Sequence, residues 1–180
     1  NWTARAARKV VERRDPNKPF FLCNSYIRPH SPYDPPQFYW DKYEHKDIPM
    51  PTIGEWARIH EGESGVNSVT SWRGKRCESE TRAARIGYYA SISHLDNQVG
   101  NLLSDLKAKG LYGNSLIIFT SDHGDMLGSQ GQFRKQRPWA ESIRVPFLVR
   151  HPQAPGPRVE NTPIDAPDLM PTILSLCGLP

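Results

Sequence analysis

The sequence predicts an α/β domain with a mostly parallel sheet flanked by helices. Three observations carry this reading. Compact apolar runs at Lys18–Ile27, Asn114–Ser121 and Val145–Arg150 have the length and composition of buried strands. A long segment of 3.6-residue apolar period, Glu80–Gly110, separates the first run from the second. A further helical segment closes the chain. Strand, long helix, strand, loop, strand and helix then alternate as they do in α/β domains.

The elements follow in order. "TARAARKVVERRD" (Thr3–Asp15) reads as a short helix, with Thr3 as N-cap and Ala7, Val10 and Val11 as a narrow apolar stripe. The first strand, "KPFFLCNSYI", halts at "RPHSPYDPP" (Arg28–Pro36), where four prolines forbid both helix and ladder pairing. "QFYWDKYE" is one short helical stretch. From His45 to Ser79 the pattern dissolves into a long variable loop within the single domain 1–180. Loops of that length are functional or disordered. Trp56 and Trp72 argue against simple disorder.

In the long helix, apolar residues recur at Ile86, Tyr89, Ile92, Leu95, Val99, Leu102, Leu103 and Leu106. Lys107 and Lys109 favour the C-terminal end of its dipole, and Gly110 is the expected C′ residue. Asp96, beside the stripe, is either a buried anchor for a neighbouring loop or a residue at the stripe's edge. The turn "LYGN" leads into the second strand. The closing helix takes Asp165 as N-cap, Pro167 in its first turn and Gly178 as C′, and Pro171 kinks or resets its start.

The 180 residues suffice for one domain with a real core, and 17 prolines imply rigid turns. A net charge of +4 (23 Lys+Arg, 19 Asp+Glu) is too mild for a nucleic-acid partner, which needs a concentrated basic stripe. It suits a small anionic substrate. Cys23, Cys77 and Cys177 are unclustered, which argues against a zinc site or a disulfide framework, and Cys23 and Cys177 read as small core residues. No apolar stretch approaches the roughly 18 residues of a membrane span. No secretory signal is visible. The chain opens on "NWTARAARKV", without Met, and reads as a segment of something longer.

"FTSDHGDMLGSQG" carries the chemistry. Asp122 and His123 fall at the carboxyl end of the second strand, and His30 falls just past the end of the first. Ligands gather at the carboxyl ends of parallel strands, so all three are expected on one rim. A carboxylate oxygen beside a neutral imidazole nitrogen suits a divalent cation. Gly124 gives the backbone freedom to aim both. The bland alternative is a polar turn in which Asp122 caps a short helix. Lys135, twelve residues after His123, either returns to the rim as a point charge for an oxyanion or stays a solvated lysine. His30, held between Pro29 and Pro32, is either an oriented proton donor or a histidine in a rigid loop.

Taken together and in this order, these residues resemble the later part of a sulfatase, of the alkaline phosphatase-like superfamily. The segments that carry the likeness are "PFFLCNSYIRPHSPYDPP", "YYASISHLDNQVGNLLSDLKAKGLYGNSLIIFTSDHGDMLG", Lys135, "ESIRVPFLVRHP" and "DLMPTILSLCGLP". The resemblance implies a partial alkaline phosphatase-like fold: the C-terminal portion of the catalytic domain. It implies that Asp122 and His123 are the second pair of metal ligands, with calcium the usual metal and magnesium or manganese used by relatives. It makes His30 the histidine that contacts the sulfate and the leaving oxygen, and Lys135 the lysine that binds the sulfate. Physically, cation and lysine neutralise the non-bridging oxygens, while His30 stabilises or protonates the departing alkoxide.

The family's earlier Asp-Asp pair is missing from this chain. So is the C-x-P-x-R or S-x-P-x-R motif, whose Cys or Ser becomes the formylglycine nucleophile. Cys23 opens "CNSYI", Cys77 opens "CESET" and Cys177 opens "CGLP". The resemblance therefore places the nucleophile upstream, and the chain alone is expected to be inactive. The implied substrate is a sulfate ester, such as a sulfated sugar. Trp56, Arg58, Trp72, Arg73 and Lys75 either line a sugar site or pack on one another. A phosphonate or phosphate ester hydrolase of the same superfamily, or a non-catalytic relative serving as a binding module, are the alternatives. The analogy extends to a periplasmic, secreted or lysosomal location. Two positions depart from the family pattern: Gln130 replaces a common histidine, and Trp139-Ala140 replaces a common Tyr-Glu.

Overall fold

The protein's structure, a computed structural model, describes residues 2–60 and 76–180. In chain order it comprises α1 (Trp2–Arg13), α2 (Gln37–Glu44), α3 (Glu78–Ala108), β1 (Ile117–Thr120), α4 (Ala140–Ile143), β2 (Phe147–Arg150) and α5 (Leu169–Leu176). Short 3-10 turns stand at Glu55–His60, Tyr112–Asn114, Ser129–Gly131 and Ala166–Asp168. Of the long variable segment, residues 61–75 lie outside the described residues.

α3 is the scaffold, and α1 and α2 both pack on it. α1 buries Ala4, Ala7 and Val11, one face at helical spacing. Val10, expected in that stripe, is 50% exposed, and Thr3 lies inside the helix rather than capping it. Arg8 fixes α1 along α3 through an ion pair with Asp105. α2 docks by aromatic contacts. Tyr43 stacks on Tyr89 and shares a 2.6 Å hydrogen bond with Ser93, while Tyr39 lies against His94. α3 ends as its sequence predicts. Gly110 takes φ +68°, Gly110 N–H donates to Lys107 O, and Leu111 N–H donates to Leu106 O, the two bonds of a Schellman close. Asp96 is exposed and anchors no buried loop.

At the other end, Asp165 accepts from Ala166 N–H while Asp168 accepts from Asp165 N–H, so the predicted cap forms. The first turn is 3-10 and α5 follows, with Pro171 at its third position. Gly178, at φ +70°, closes it as α3 was closed.

The sheet departs from expectation. β1 and β2 pair antiparallel, with Ile117 opposite Arg150 and Thr120 opposite Phe147. A parallel return needs a covering crossover element. Here the chain between the strands runs through tight turns and the one-turn helix α4, which bring it back in the opposite sense. The run Lys18–Ile27 forms no strand and joins no ladder among the described residues. Its sides still alternate: Leu22, Asn24 and Tyr26 are half-buried, while Phe21 and Ile27 are 78% and 80% exposed. Cys23 and Cys177 are exposed rather than core. The core lies instead where α3 meets the loop after β1, with Ile86, Ala90, Met126, Leu127 and Phe133 buried.

Candidate active site

Two loops build the site. The first, Arg28–Pro36, is stitched by its own arginine. Arg28 donates to the carbonyls of His30 and Pro32 and pairs with Asp34. These bonds use backbone acceptors that four prolines leave without ladder partners. α3 sets the loop's position: a Cβ on Gly87 would overlap the carbonyl oxygen of Tyr33.

The second loop, 121–136, leaves the carboxyl end of β1. Ser121 donates to the carbonyl of His123, and Asp122 accepts from the backbone N–H of His123. No helix follows directly, so Asp122 is not a helix cap. Gly124 N–H donates to Ser142 O at 2.8 Å, and a Cβ at Gly124 would overlap the carbonyl oxygen of Glu141. Gly124 is therefore required for the close approach of α4, not for aiming the ligands. Met126 N–H donates to Arg134 O and Gly128 N–H to Gln132 O, so the loop folds back on itself. Four of its non-glycine residues take left-handed φ: Leu127 (46°), Gln130 (55°), Arg134 (65°) and Gln136 (74°). Such backbone is costly and persists only where surrounding bonds hold it.

Asp125 is one of the groups holding it. Its Oδ1 accepts from Leu127 N–H and Arg134 N–H, and its Oδ2 accepts from the Tyr33 hydroxyl at 2.8 Å. Burial first, then the Asp125 carboxylate, pushes the Tyr33 hydroxyl far above its ordinary value. The same causes raise Tyr88. Arg85 of α3 adds a bond to the Leu127 carbonyl. Sequence reasoning missed Arg28, Tyr33, Arg85, Gly87 and Asp125. Their signals are faint: ordinary polar residues inside stretches noticed for other reasons.

The loops bring the four expected residues together. Lys135 Nζ stands 2.6 Å from His30 Nε2, across 105 residues of sequence. The His30 and His123 rings meet edge to face at 6.0 Å. His123 Nε2 is 3.5 Å from Asp122 Oδ2. The tautomers follow from the neighbours. His30 Nδ1 is 2.8 Å from Ser31 O, and His123 Nδ1 is 2.8 Å from Gly124 O. A carbonyl only accepts, so each Nδ1 carries a hydrogen, and in the neutral form of each ring the lone pair lies on Nε2. His30 Nε2 thus accepts from the Lys135 ammonium, and the proton facing the site belongs to the pair rather than to His30 alone. Among the described residues the other ammonium hydrogens of Lys135 meet no further partner.

The donor chemistry of the Asp122–His123 pair fits a divalent cation. The pair's 3.5 Å separation is one that two ligands of a single ion reach at bond lengths of about 2.0–2.6 Å. The His123 lone pair is freed by the Gly124 contact, and the Asp122 side chain, 84% exposed, turns without loss of cover. Among the described residues no group of three or more metal-binding side chains assembles, so the pair is an incomplete set.

Other expectations resolve differently. Gln130 braces the chain instead of facing the cluster, its Oε1 accepting from Gly54 N–H and its N–H donating to Thr52 O. Trp139 packs against Trp56 at 5.2 Å, so the Trp-Ala departure is absorbed by an aromatic pair. Trp72, Arg73 and Lys75 lie outside the described residues. No described helix is long and apolar enough to cross a membrane.

The family model described as Sulfatase matches residues 2–179. An arylsulfatase of Clostridium perfringens is 39% identical over 183 residues, covering 99% of this chain and 38% of the relative. A solved phosphonate monoester hydrolase of Silicibacter pomeroyi superposes with a TM-score of 0.83 at 23% identity, covering 99% of this chain and 38% of that one. A protein solved with its substrate D-glucosamine-2-N,6-O-disulfate gives a TM-score of 0.75 at 21% identity, covering 99% and 48%. These superpositions bear out the partial alkaline phosphatase-like fold. The chain spans less than half the length of each of these proteins.

Proposed function

This chain belongs to the sulfatase family, and from that premise we propose that its site is the sulfate-binding, leaving-group side of the centre of a sulfuric ester hydrolase. The observation that carries the reading is the 2.6 Å contact of Lys135 and His30 beside the Asp122–His123 pair. Lys135 binds a non-bridging sulfate oxygen with its free ammonium hydrogens. The Lys135–His30 pair donates a hydrogen bond or a proton to the departing alkoxide. Asp122 and His123 would hold a divalent cation, calcium first and magnesium or manganese next, with other ligands completing the set. Such a cation, when bound, withdraws charge from the sulfate oxygens. The formylglycine nucleophile belongs to the same enzyme outside this chain, which holds no C-x-P-x-R or S-x-P-x-R motif.

The substrate is a small sulfate ester, with a sulfated sugar favoured. The solved likeness to a protein whose substrate is a sulfated glucosamine supports that class through the fold alone. A second reading, a phosphonate or phosphate ester hydrolase, rests on the 0.83 superposition with a phosphonate monoester hydrolase. The full-length enzyme, assayed side by side on an aryl sulfate, a sulfated glucosamine and a phenyl phosphonate, separates them. The expected result is the larger kcat/KM on a sulfate ester, reduced about 100-fold or more by Lys135→Ala or His30→Ala. A larger kcat/KM on the phosphonate selects the second reading. Absence of turnover on all three leaves a non-catalytic binding module.

A further inference from the structure

A second contact joins the two loops beneath the cluster. Tyr33 lies three residues after His30, and Arg134 immediately precedes Lys135. Asp125 bonds to both: the Tyr33 hydroxyl on Oδ2 and the Arg134 N–H on Oδ1. It also accepts from Leu127 N–H, so one carboxylate ties the outgoing and returning arms of its own loop to the loop that carries His30. The backbone on either side of Lys135 is left-handed, at Arg134 and at Gln136. Without a bond to hold it, such a segment relaxes, and the lysine moves with it. Tyr33 is fixed from the opposite side, where its ring meets Tyr88 edge to face and its carbonyl closes on Gly87 of α3. The hydroxyl stays protonated through the working pH range, because burial and the neighbouring carboxylate oppose its ionisation. It is a permanent donor.

We propose that Asp125, acting through Tyr33, is a positioning residue of this centre: it sets the separation of His30 and Lys135 so that Lys135 meets a non-bridging oxygen while the pair meets the leaving oxygen of one sulfate ester. This rests on the reading of the site given above. Asp125 does not touch the reacting atoms. It acts by fixing the two groups that do, and a misplacement of about 1 Å at such groups costs about 100-fold in rate.

The test uses three variants of the full-length enzyme. Tyr33→Phe removes only the bond between the loops. Asp125→Ala removes all three bonds. Asp125→Asn keeps them in shape: its Oδ1 accepts from both backbone N–H groups, and its amide donates to the Tyr33 oxygen. On a sulfate ester, kcat should fall about 100-fold in Asp125→Ala and about 10-fold in Tyr33→Phe, with KM within about twofold. Asp125→Asn should stay within about threefold of the wild type. Crystal structures should show the Lys135–His30 contact, 2.6 Å in the native chain, opened beyond hydrogen-bond distance in Asp125→Ala and kept in Asp125→Asn. An Asn variant as slow as the Ala variant with the contact intact would make the carboxylate a chemical participant and overturn the proposal. So would unchanged kcat in both Asp125→Ala and Tyr33→Phe. If Asp125→Ala does not fold, Tyr33→Phe decides by the same two readouts. Failure of the wild type to turn over any sulfate ester would remove the reading of the site, while the crystallographic separation would still decide the clamp.

Discussion

The loops around His30 and His123 and the strands beneath them are built by opposite means. In the loops, directional polar ties set position over a small apolar base of Met126, Leu127 and Phe133. Arg28, Asp125, Arg85 and Gly124 N–H bond across the chain, and left-handed residues are held by these bonds. The strands carry apolar sequence but little cover: Leu148 is 63% exposed, Val149 44% and Phe119 36%. Hydrophobic burial is non-directional and tolerates a shifted side chain, whereas hydrogen bonds fix position to tenths of an ångström. A site that must hold a lysine against a histidine is therefore braced by polar bonds, and the sheet serves as its mount. Perturbations should divide accordingly, into those that cost rate and those that cost fold.

The largest effect is expected where rate and fold part most cleanly. Asp122 is 84% exposed, and among the described residues it bonds to its own neighbours Ser121 and His123. Asp122→Ala in the full-length enzyme should lower kcat/KM about 100- to 1000-fold. It should leave the melting temperature of the metal-free protein unchanged, and bound metal, measured by elemental analysis, should drop. Retained metal and rate would mean that the loop's polarity serves the fold alone.

Gly124 ties the two regions together. A Cβ there meets the backbone of Glu141, which cannot rotate away, so α4 must shift. Gly124→Ala should cost about 1–3 kcal/mol in denaturant unfolding and slow turnover as well. Stability lost with rate intact would show that α4 moves independently of His123.

The third effect is a pH dependence. The Tyr33 hydroxyl has its folded pKa raised, by burial and by Asp125, above an unfolded value of about 10. Below about pH 10 both states hold the proton, and the contribution to stability is complete. Above it the unfolded state releases the proton first, so stability falls as pH rises toward the folded value. Tyr88 shifts the same way and adds to the fall. Urea midpoints measured from pH 8 to pH 11 should therefore be flat and then drop, and Tyr33→Phe should shrink the drop. An unchanged slope in that variant would mean that Tyr33 ionises as a free phenol does.

This division explains what the sequence makes legible. Periodicity and end signals are local, so α2, the Gly110 close of α3 and the Asp165 cap of α5 appear where expected. The cluster of His30, Asp122, His123 and Lys135 is legible only through the family resemblance, because spacing alone leaves each residue open to a bland reading. The direction of β2 is not, because antiparallel and parallel strands share one composition and only the path between them differs. Burial of the Lys18–Ile27 run is not legible either, since an apolar run states a preference and not the presence of a cover. Val10 fails for a related reason: helix spacing permits either neighbour to face α3, and packing selected Val11. The Tyr33–Asp125 tie is the least visible, joining residues 92 apart by a bond that neither local pattern announces.

The smallest effect bears on the strands themselves. Leu148 stands opposite Phe119 in the ladder with 63% of its surface open. If that openness is its state in the 180-residue chain, Leu148→Ser there removes no packed contact of consequence and should change stability by less than about 0.5 kcal/mol. Amide hydrogen exchange offers a parallel readout. The N–H groups of Gly124, Met126 and Gly128, each bonded to a carbonyl of the returning loop or of α4, should exchange slowly. Those of Phe21, Cys23 and Ser25, in the run that joins no ladder, should exchange at rates near those of open chain. The same substitution in the full-length enzyme sharpens the contrast. A cost of about 2 kcal/mol there, against almost none in this chain, would place a covering layer on the sheet face and make its apolar residues interface rather than surface. Equal costs in both would mean that β1 and β2 keep an open face, and that the bonds around Asp125 and α3 hold the site in place without help from the sheet.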